Sequence, residues 1–264
     1  MRSPPTSRVN TRSAGSSKAN ASASSSSKST PDSGGDAPLV VGFDTATGDT
    51  AVCAARGGEV LYESSIGLDA DGSPRHSTAL LAEVERAAAA AGGWDLVDAI
   101  AVGVGPGSFT GLRIGIATAR ALATGLGLPA SGVCTLDAIG RELGETSGDA
   151  PSLAVLDARR GEVFAALYSA VGERLWGPLV EAPGELAKRL AGLPQAPLAA
   201  GSGALRFRDE LGVETPADGD PVHRVAARHI CALAVANGVE ASGVSAPIYL
   251  RAPDAERWRE RDGV

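Results

Sequence analysis

Several things are scarce in this 264-residue chain, and each scarcity closes a class of function. There are three cysteines, Cys53, Cys134 and Cys231, far apart and odd in number. No CxxC pair exists, so neither a zinc knuckle nor a disulfide framework has a basis, and three buried reduced thiols are expected. There are three histidines, His76, His223 and His229. No HExxH is present, and His223 and His229 are six apart, which puts them on different faces of a helix rather than in an i,i+4 metal pair. His76 precedes a helix and is expected to face solvent. No GxSxG elbow occurs. No run of 18 apolar residues exists, so a membrane-spanning helix is not expected. The opening has no apolar h-region, which excludes a secretory signal and leaves a transit peptide or a misplaced start codon as its readings.

Positive charge is scarce in the body of the chain but not in its opening. Residues 1–37 carry a net charge of +3 and twelve serines; the remainder carries −10. The Ser-rich opening cannot build a core and is expected to be disordered. An acidic body is a poor stand-alone binder of nucleic acid, since affinity for phosphates comes mainly from Lys and Arg displacing counterions. If nucleic acid is a ligand, another chain supplies most of the grip.

From Leu39 the pattern becomes regular. Leu39 to Asp44 reads as a buried strand ending on a carboxylate, Thr50 to Ala55 as a second, and Arg56-Gly57-Gly58-Glu59 as a hairpin turn. Val60, Tyr62, Ser64 and Ile66 alternate as a third strand. Leu80, Leu81, Val84, Ala87, Ala88 and Ala91 recur at helical spacing, ended by Gly92-Gly93. A strand at Ala99–Val104, a helix over about Ser108–Gly125, a strand at Ala130–Val133 and a helix at Thr135–Leu143 follow. Three antiparallel strands and then helix, strand, helix, strand, helix is the pattern of a ribonuclease-H-like domain. After a linker the style repeats: a strand ending on Asp157, a turn at Arg159-Arg160-Gly161, strands at Glu162–Ser169, Arg174–Val180 and Ala196–Ala200, and helices near Glu185–Ala191 and Val222–Asn237. The expected architecture is a duplicated α/β fold of the two-lobed, actin-like ATPase kind. Its lobes are residues 38–145, carrying a partner-docking role, and a smaller 150–255, with a charged tail at 256–264.

The sharpest local feature is Gly105-Pro106-Gly107-Ser108-Phe109-Thr110-Gly111-Leu112-Arg113-Ile114-Gly115, joining a buried strand to a helix. It lacks the Lys of a P-loop and misses the GxGxxG spacing. Two readings stand: an anion site at the helix start, or a tight turn with an N-cap from Ser108 or Thr110. Gly111, Gly115 and Ala119 lie four apart on one helix face. Small residues there let another helix approach closely, either within the domain or from a partner. The partner reading names Leu80, Leu81, Gly111, Leu112, Gly115, Ile116 and Ala119 as the interface. Asp44, Thr45, Thr47 and Asp157 are candidates for a vestigial nucleotide site, because strand-end carboxylates hold a metal and phosphates in two-domain kinase folds. Gly201-Ser202-Gly203-Ala204 is a candidate turn beneath an adenosine.

Taken together, GFDTATGDTAV, HSTALL, GPGSFTGLRIG, GVCTLDAI, LDARRGEVFAALY and PIYLR resemble the TsaB family, over residues from about Leu39 to Ala255. The resemblance implies a two-lobed actin-like fold and a cytoplasmic heterodimer with the TsaD paralogue, joined by the ATPase TsaE. It implies transfer of threonylcarbamoyl from its adenylate to the tRNA adenosine beside the anticodon, with this chain a required but non-catalytic subunit. It implies no cofactor on the chain itself, ATP as a ligand of the complex, tRNA contact only through the complex, no membrane, and a homodimer as the alternative when the chain is alone. TsaD-type relatives carry an HxxxH metal pair where this chain has Thr135 and Ile139, and no late Asp-Asn-Gly motif follows. An isoleucine cannot ligate a metal, so no metal site is expected there. The rival readings are an independent sugar-kinase-like ATPase using Asp44 and Asp157, a metallopeptidase, which the missing histidine pair opposes, and a direct tRNA binder hooked by the basic tail.

Overall fold

The computed structural model describes residues 37–239 and 246–250; the expected Ser-rich tail up to residue 36 and the charged tail at 256–264 lie outside the described residues. β1 (Leu39–Asp44) is buried along its whole length. A strand can be so only if layers cover both its faces, and its residues divide between two cores accordingly. Leu39, Val41 and Phe43 pack with Leu80, Val84, Leu112 and Ile116. Val40 packs on the other side with Leu136, Ile139 and Ile230.

β1 pairs antiparallel with β2 (Thr50–Arg56), which pairs antiparallel with β3 (Glu59–Ile66). The β2–β3 turn places Gly57 and Gly58 at positive φ, as a two-residue hairpin demands. α1 (His76–Ala90) leads to β4 (Ala99–Gly103), which lies parallel to β1, and α2 (Phe109–Leu126) leads to β5 (Ala130–Val133), parallel to β4. The sheet order is β3-β2-β1-β4-β5. α3 (Thr135–Gly144) then crosses to β6 (Ser152–Arg159), β7 (Glu162–Tyr168), β8 (Arg174–Glu181), α4 (Pro183–Ala191) and β9 (Leu198–Ala200). This second sheet has the order β8-β7-β6-β9. Numbered from its own start it reads 3-2-1-4, the first four positions of the 3-2-1-4-5 before it. The duplication of a ribonuclease-H-like unit is thus written in the strand order, and the architecture is the actin-like α/β fold.

Five layers result. α1 and α2 cover the outer face of the first sheet. A core built on Leu153, Val155, Leu186, Leu190 and Leu211 lies between the second sheet and α4, α5 (Ser202–Arg206) and α6 (Arg208–Leu211). Between the sheets, α3 and α7 (Ala227–Ala236) share one core with Ala154, Leu156 and Phe164. Both lobes therefore belong to one compact unit.

Two expectations are corrected here. The single helix expected at Val222–Asn237 is a 3-10 turn at Pro221–His223 followed by α7. Asp220 caps the turn by accepting from the Val222 N–H at 3.0 Å, and Arg224 is extended. α7 lies against the first sheet rather than among the second-lobe helices, and it comes so close that a Cβ on Gly42 would sit 2.6 Å from Cys231 Sγ. His76 does not face solvent. It is buried at the start of α1, where Nε2 donates to the Thr47 carbonyl at 3.1 Å and Nδ1 accepts from the Thr50 hydroxyl at 2.8 Å. Among the described residues no helix is long and apolar enough to cross a membrane.

Candidate functional site

The segment Gly103 to Gly115 grips the loop Asp44-Thr45-Ala46. A Cβ on Gly103 would lie 1.7 Å from Asp44 Oδ2, one on Gly107 2.3 Å from the Ala46 carbonyl, one on Gly111 1.9 Å from the Thr45 carbonyl, and one on Gly115 2.4 Å from Thr45 Oγ1. Four glycines at a spacing of four let β4 and α2 close on the β1–β2 loop without side chains between them. Hydrogen bonds complete the seal. The Ser108 N–H donates to the Ala46 carbonyl at 2.7 Å, and the Thr45 hydroxyl donates to the Gly111 carbonyl at 2.8 Å. Of the two readings of this motif, the turn with an N-cap is the one the geometry contains: Ser108 Oγ accepts from the Gly111 N–H at 3.3 Å.

The expected interface is corrected by the same contacts. Gly111 and Gly115 face the chain's own loop, while Leu80, Leu112, Ile116 and Ala119 are buried under α1 and α2. Of the seven residues named, Leu81 alone is open to solvent, at 60%. The sequence periodicity located the small-residue face correctly and could not say which neighbour filled it.

Asp44 and Thr45 are sealed away as well, both at 0% exposure. Asp44 Oδ1 accepts from the Ala46 N–H at 2.7 Å, and Oδ2 accepts from the Thr135 hydroxyl at 2.7 Å. Thr135 thus stands at one expected histidine place with its hydroxyl committed to Asp44, and Ile139, at the other, is fully buried in the central core. The residues present do not fit the metal centre of TsaD-type relatives: an apolar side chain and an engaged neutral hydroxyl supply no competent ligand pair.

Burial pushes the Asp44 carboxyl up to about 6, against the Thr135 hydroxyl and Ala46 N–H, which lower it. A carboxyl raised in the folded state favours folding fully below its unfolded value, and that contribution is lost as pH rises through about 6. Asp44→Asn is therefore expected to gain on wild type by on the order of 2–3 kcal/mol between pH 4 and pH 7.5. Urea unfolding of both proteins at the two pH values measures this; an equal gap at both would contradict it.

Thr47 and Asp157 do reach a common space, a cleft of about 1260 Å³ between the lobes. Asp157 is half-buried and already held: Arg206 donates to Oδ2 at 2.7 Å, and the Arg159 N–H donates to Oδ1 at 2.8 Å. The Gly201–Ala204 turn lies beneath it, with Ser202 Oγ accepting from the Asp157 N–H at 3.2 Å. Arg159 and Arg160 both adopt positive φ, 64° and 56°, where glycine is the unstrained choice. Three lining residues were missed in the sequence. The Arg113 guanidinium stacks 3.8 Å from the Phe109 ring centroid, and Phe109 tilts against Tyr249 at 5.5 Å. Their signal was available: Phe109 is an apolar residue on the solvent side of α2, and Tyr249 belongs to the PIYLR segment, which the Ile248 N–H anchors to the Val104 carbonyl at 2.8 Å.

A family model described as TsaD, tRNA N6-adenosine threonylcarbamoyltransferase, matches residues 70–219, more than half of the chain. The chain belongs to that family. Within it the chain is TsaB/YeaZ-like. It is 35% identical to the tRNA threonylcarbamoyladenosine biosynthesis protein TsaB of Escherichia coli over 139 residues, which are 52% of this chain and 58% of that protein. It is 41% identical to an uncharacterized protein of Mycobacterium tuberculosis over 61% of this chain and 67% of the relative. YeaZ from Pseudomonas aeruginosa superimposes with a TM-score of 0.64 at 27% identity, covering 81% of this chain and 100% of that one. The TsaB-like chain thus spans little more than half the length of the E. coli protein. The sealed Asp44-Thr45 loop is a feature of this chain's own packing.

Proposed function

We propose that this chain is the non-catalytic, TsaB-type subunit of a tRNA adenosine threonylcarbamoyltransferase complex. A role in tRNA threonylcarbamoyladenosine biosynthesis follows from its TsaB/YeaZ kinship. The single observation carrying the non-catalytic part is the filled site: Thr135 is bonded to Asp44, and Ile139 sits in the core where the transferase relatives place imidazoles. In this reading the chain pairs with a TsaD-type paralogue in the cytoplasm, a TsaE-type ATPase serves the pair, and tRNA and ATP belong to the complex. A homodimer forms when the paralogue is absent.

The docking surface moves from the buried glycine face to the outer face of α1 and α2. There Leu81, Ala82, Ala117 and Ala121 are exposed, with Ile114 and Leu122 partly so. Small and apolar side chains on two adjacent helices suit close helix–helix contact. The test is nucleoside mass analysis of tRNA after depletion of this protein. Threonylcarbamoyladenosine is expected to fall at least tenfold and to return with a chain lacking residues 1–37. Unchanged levels would remove the proposal.

A further inference from the structure

Away from the cleft, where the end of α3 meets the start of α7, three metal-ligating side chains converge. Glu142 and Glu145 are three apart on α3 and its C-cap, and His229 enters from the first turn of α7. One donor atom from each lies within 4.8 Å of the others. The imidazole is 3% exposed and aims Nε2 between the two carboxylates, 2.7 Å from Glu142 Oε2 and 3.8 Å from Glu145 Oε1. Donors around a tetrahedral zinc ion at its usual bond lengths stand about 3.3 Å apart, so one of these gaps opens and the other closes by roughly half an ångström.

The charge balance also calls for a cation. Glu63 and Glu142 both pair with the Arg228 guanidinium, while the Glu145 carboxylate lies beside the His229 imidazole. Arg228 bonds Glu142, and it also bonds Glu63 twice, through its backbone N–H and through NH1, each at 3.0 Å. It can therefore release Glu142 and stay paired. The Glu145 carboxylate makes no hydrogen bond among the described residues, and His229 pairs with it at 3.8 Å. A buried imidazole directed at two carboxylates, one held and one unclaimed, is a nitrogen–oxygen donor set suited to a first-row divalent ion and unlike the all-oxygen sets of calcium and magnesium.

We propose that Glu142, Glu145 and His229 form a structural zinc site that ties α3 to α7, with water as the fourth ligand. Binding shifts the single proton of the neutral imidazole from Nε2 to Nδ1 by exchange with solvent, which frees the Nε2 lone pair for the metal; no electron moves. The ion holds together two helices of the central layer that are more than eighty residues apart in the chain. This site is independent of the proposed role in tRNA modification.

The test uses the full chain, treated with chelator and dialysed, then titrated with cobalt(II) chloride as the spectroscopic stand-in and with zinc chloride. One equivalent of cobalt is expected to give the intense visible bands of tetrahedral coordination, and zinc is expected to bleach them and raise Tm. Glu145→Gln is the decisive variant, because the Glu145 side chain is exposed and carries no other bond, so the fold survives the change. It is expected to weaken zinc binding at least tenfold. Absent bands in wild type, or unchanged bands and affinity in Glu145→Gln, would overturn the site.

Discussion

Gly111→Ala is expected to destabilise the protein by about 3 kcal/mol or more and to leave little soluble material. The added methyl meets the Thr45 carbonyl at 1.9 Å, a backbone atom that cannot rotate away. Relief requires α2 to retreat from the β1–β2 loop. That movement breaks the Thr45–Gly111 bond at 2.8 Å and the Ser108–Ala46 bond at 2.7 Å, and it opens the core beneath Leu112 and Ile116. Overpacking usually costs about 1–3 kcal/mol, and the lost buried bonds add to that. Gly125→Ala, later on the same helix, is the internal control. Nothing lies within 4 Å of its Cβ, so the substitution is expected to stabilise by about 0.5–1 kcal/mol through helix propensity alone. Chemical unfolding of the two variants beside wild type gives both signs in one experiment. Similar stabilities for the two would show that the close approach at Gly111 is not a constraint.

Ala117→Arg combined with Leu81→Asp is expected to lower affinity for the TsaD-type paralogue by more than 100-fold while leaving Tm within a few degrees of wild type. Both residues are exposed on the outer surfaces of α2 and α1, so neither change disturbs the core. At an apolar helix contact, a large guanidinium and a new carboxylate each lose water without a partner, a penalty of about 2–3 kcal/mol apiece. Co-purification and calorimetric titration against the paralogue measure it. Retained binding would place the docking face elsewhere, and a collapsed Tm would show that the two positions serve folding.

These two experiments separate what one helix does on its two sides. The small residues that periodicity singles out serve the inside. The face proposed for a partner consists of residues between them, and Ala117 and Ala121 carry no signal of their own in a sequence. The two first-strand carboxylates divide in a similar way. Asp44 closes β1 as the pattern said, whereas Asp157 lies two residues inside β6, at a bulge before Arg159. The first is sealed under glycines, and the second stands at a cleft among arginines. His76 and α7 were misplaced for one reason: their partners, Thr50 and the inner face of β1 and β2, are distant in sequence, and periodicity records which face is apolar without recording what covers it.

The sequence alone determined the α/β class, the doubled strand-Asp-turn-strand plan, the turn chemistry at Gly57-Gly58 and the want of an imidazole pair at Thr135 and Ile139. All of these depend on local backbone preference, on apolar period or on the identity of single side chains, and such properties are carried within a few residues. The tertiary structure decided which side of α2 is spent on the chain's own loop, that Asp44 is sealed, and that Glu142, Glu145 and His229 meet. Those outcomes depend on which distant segments press together. That is settled by packing over the whole chain, and a run of residues does not contain it.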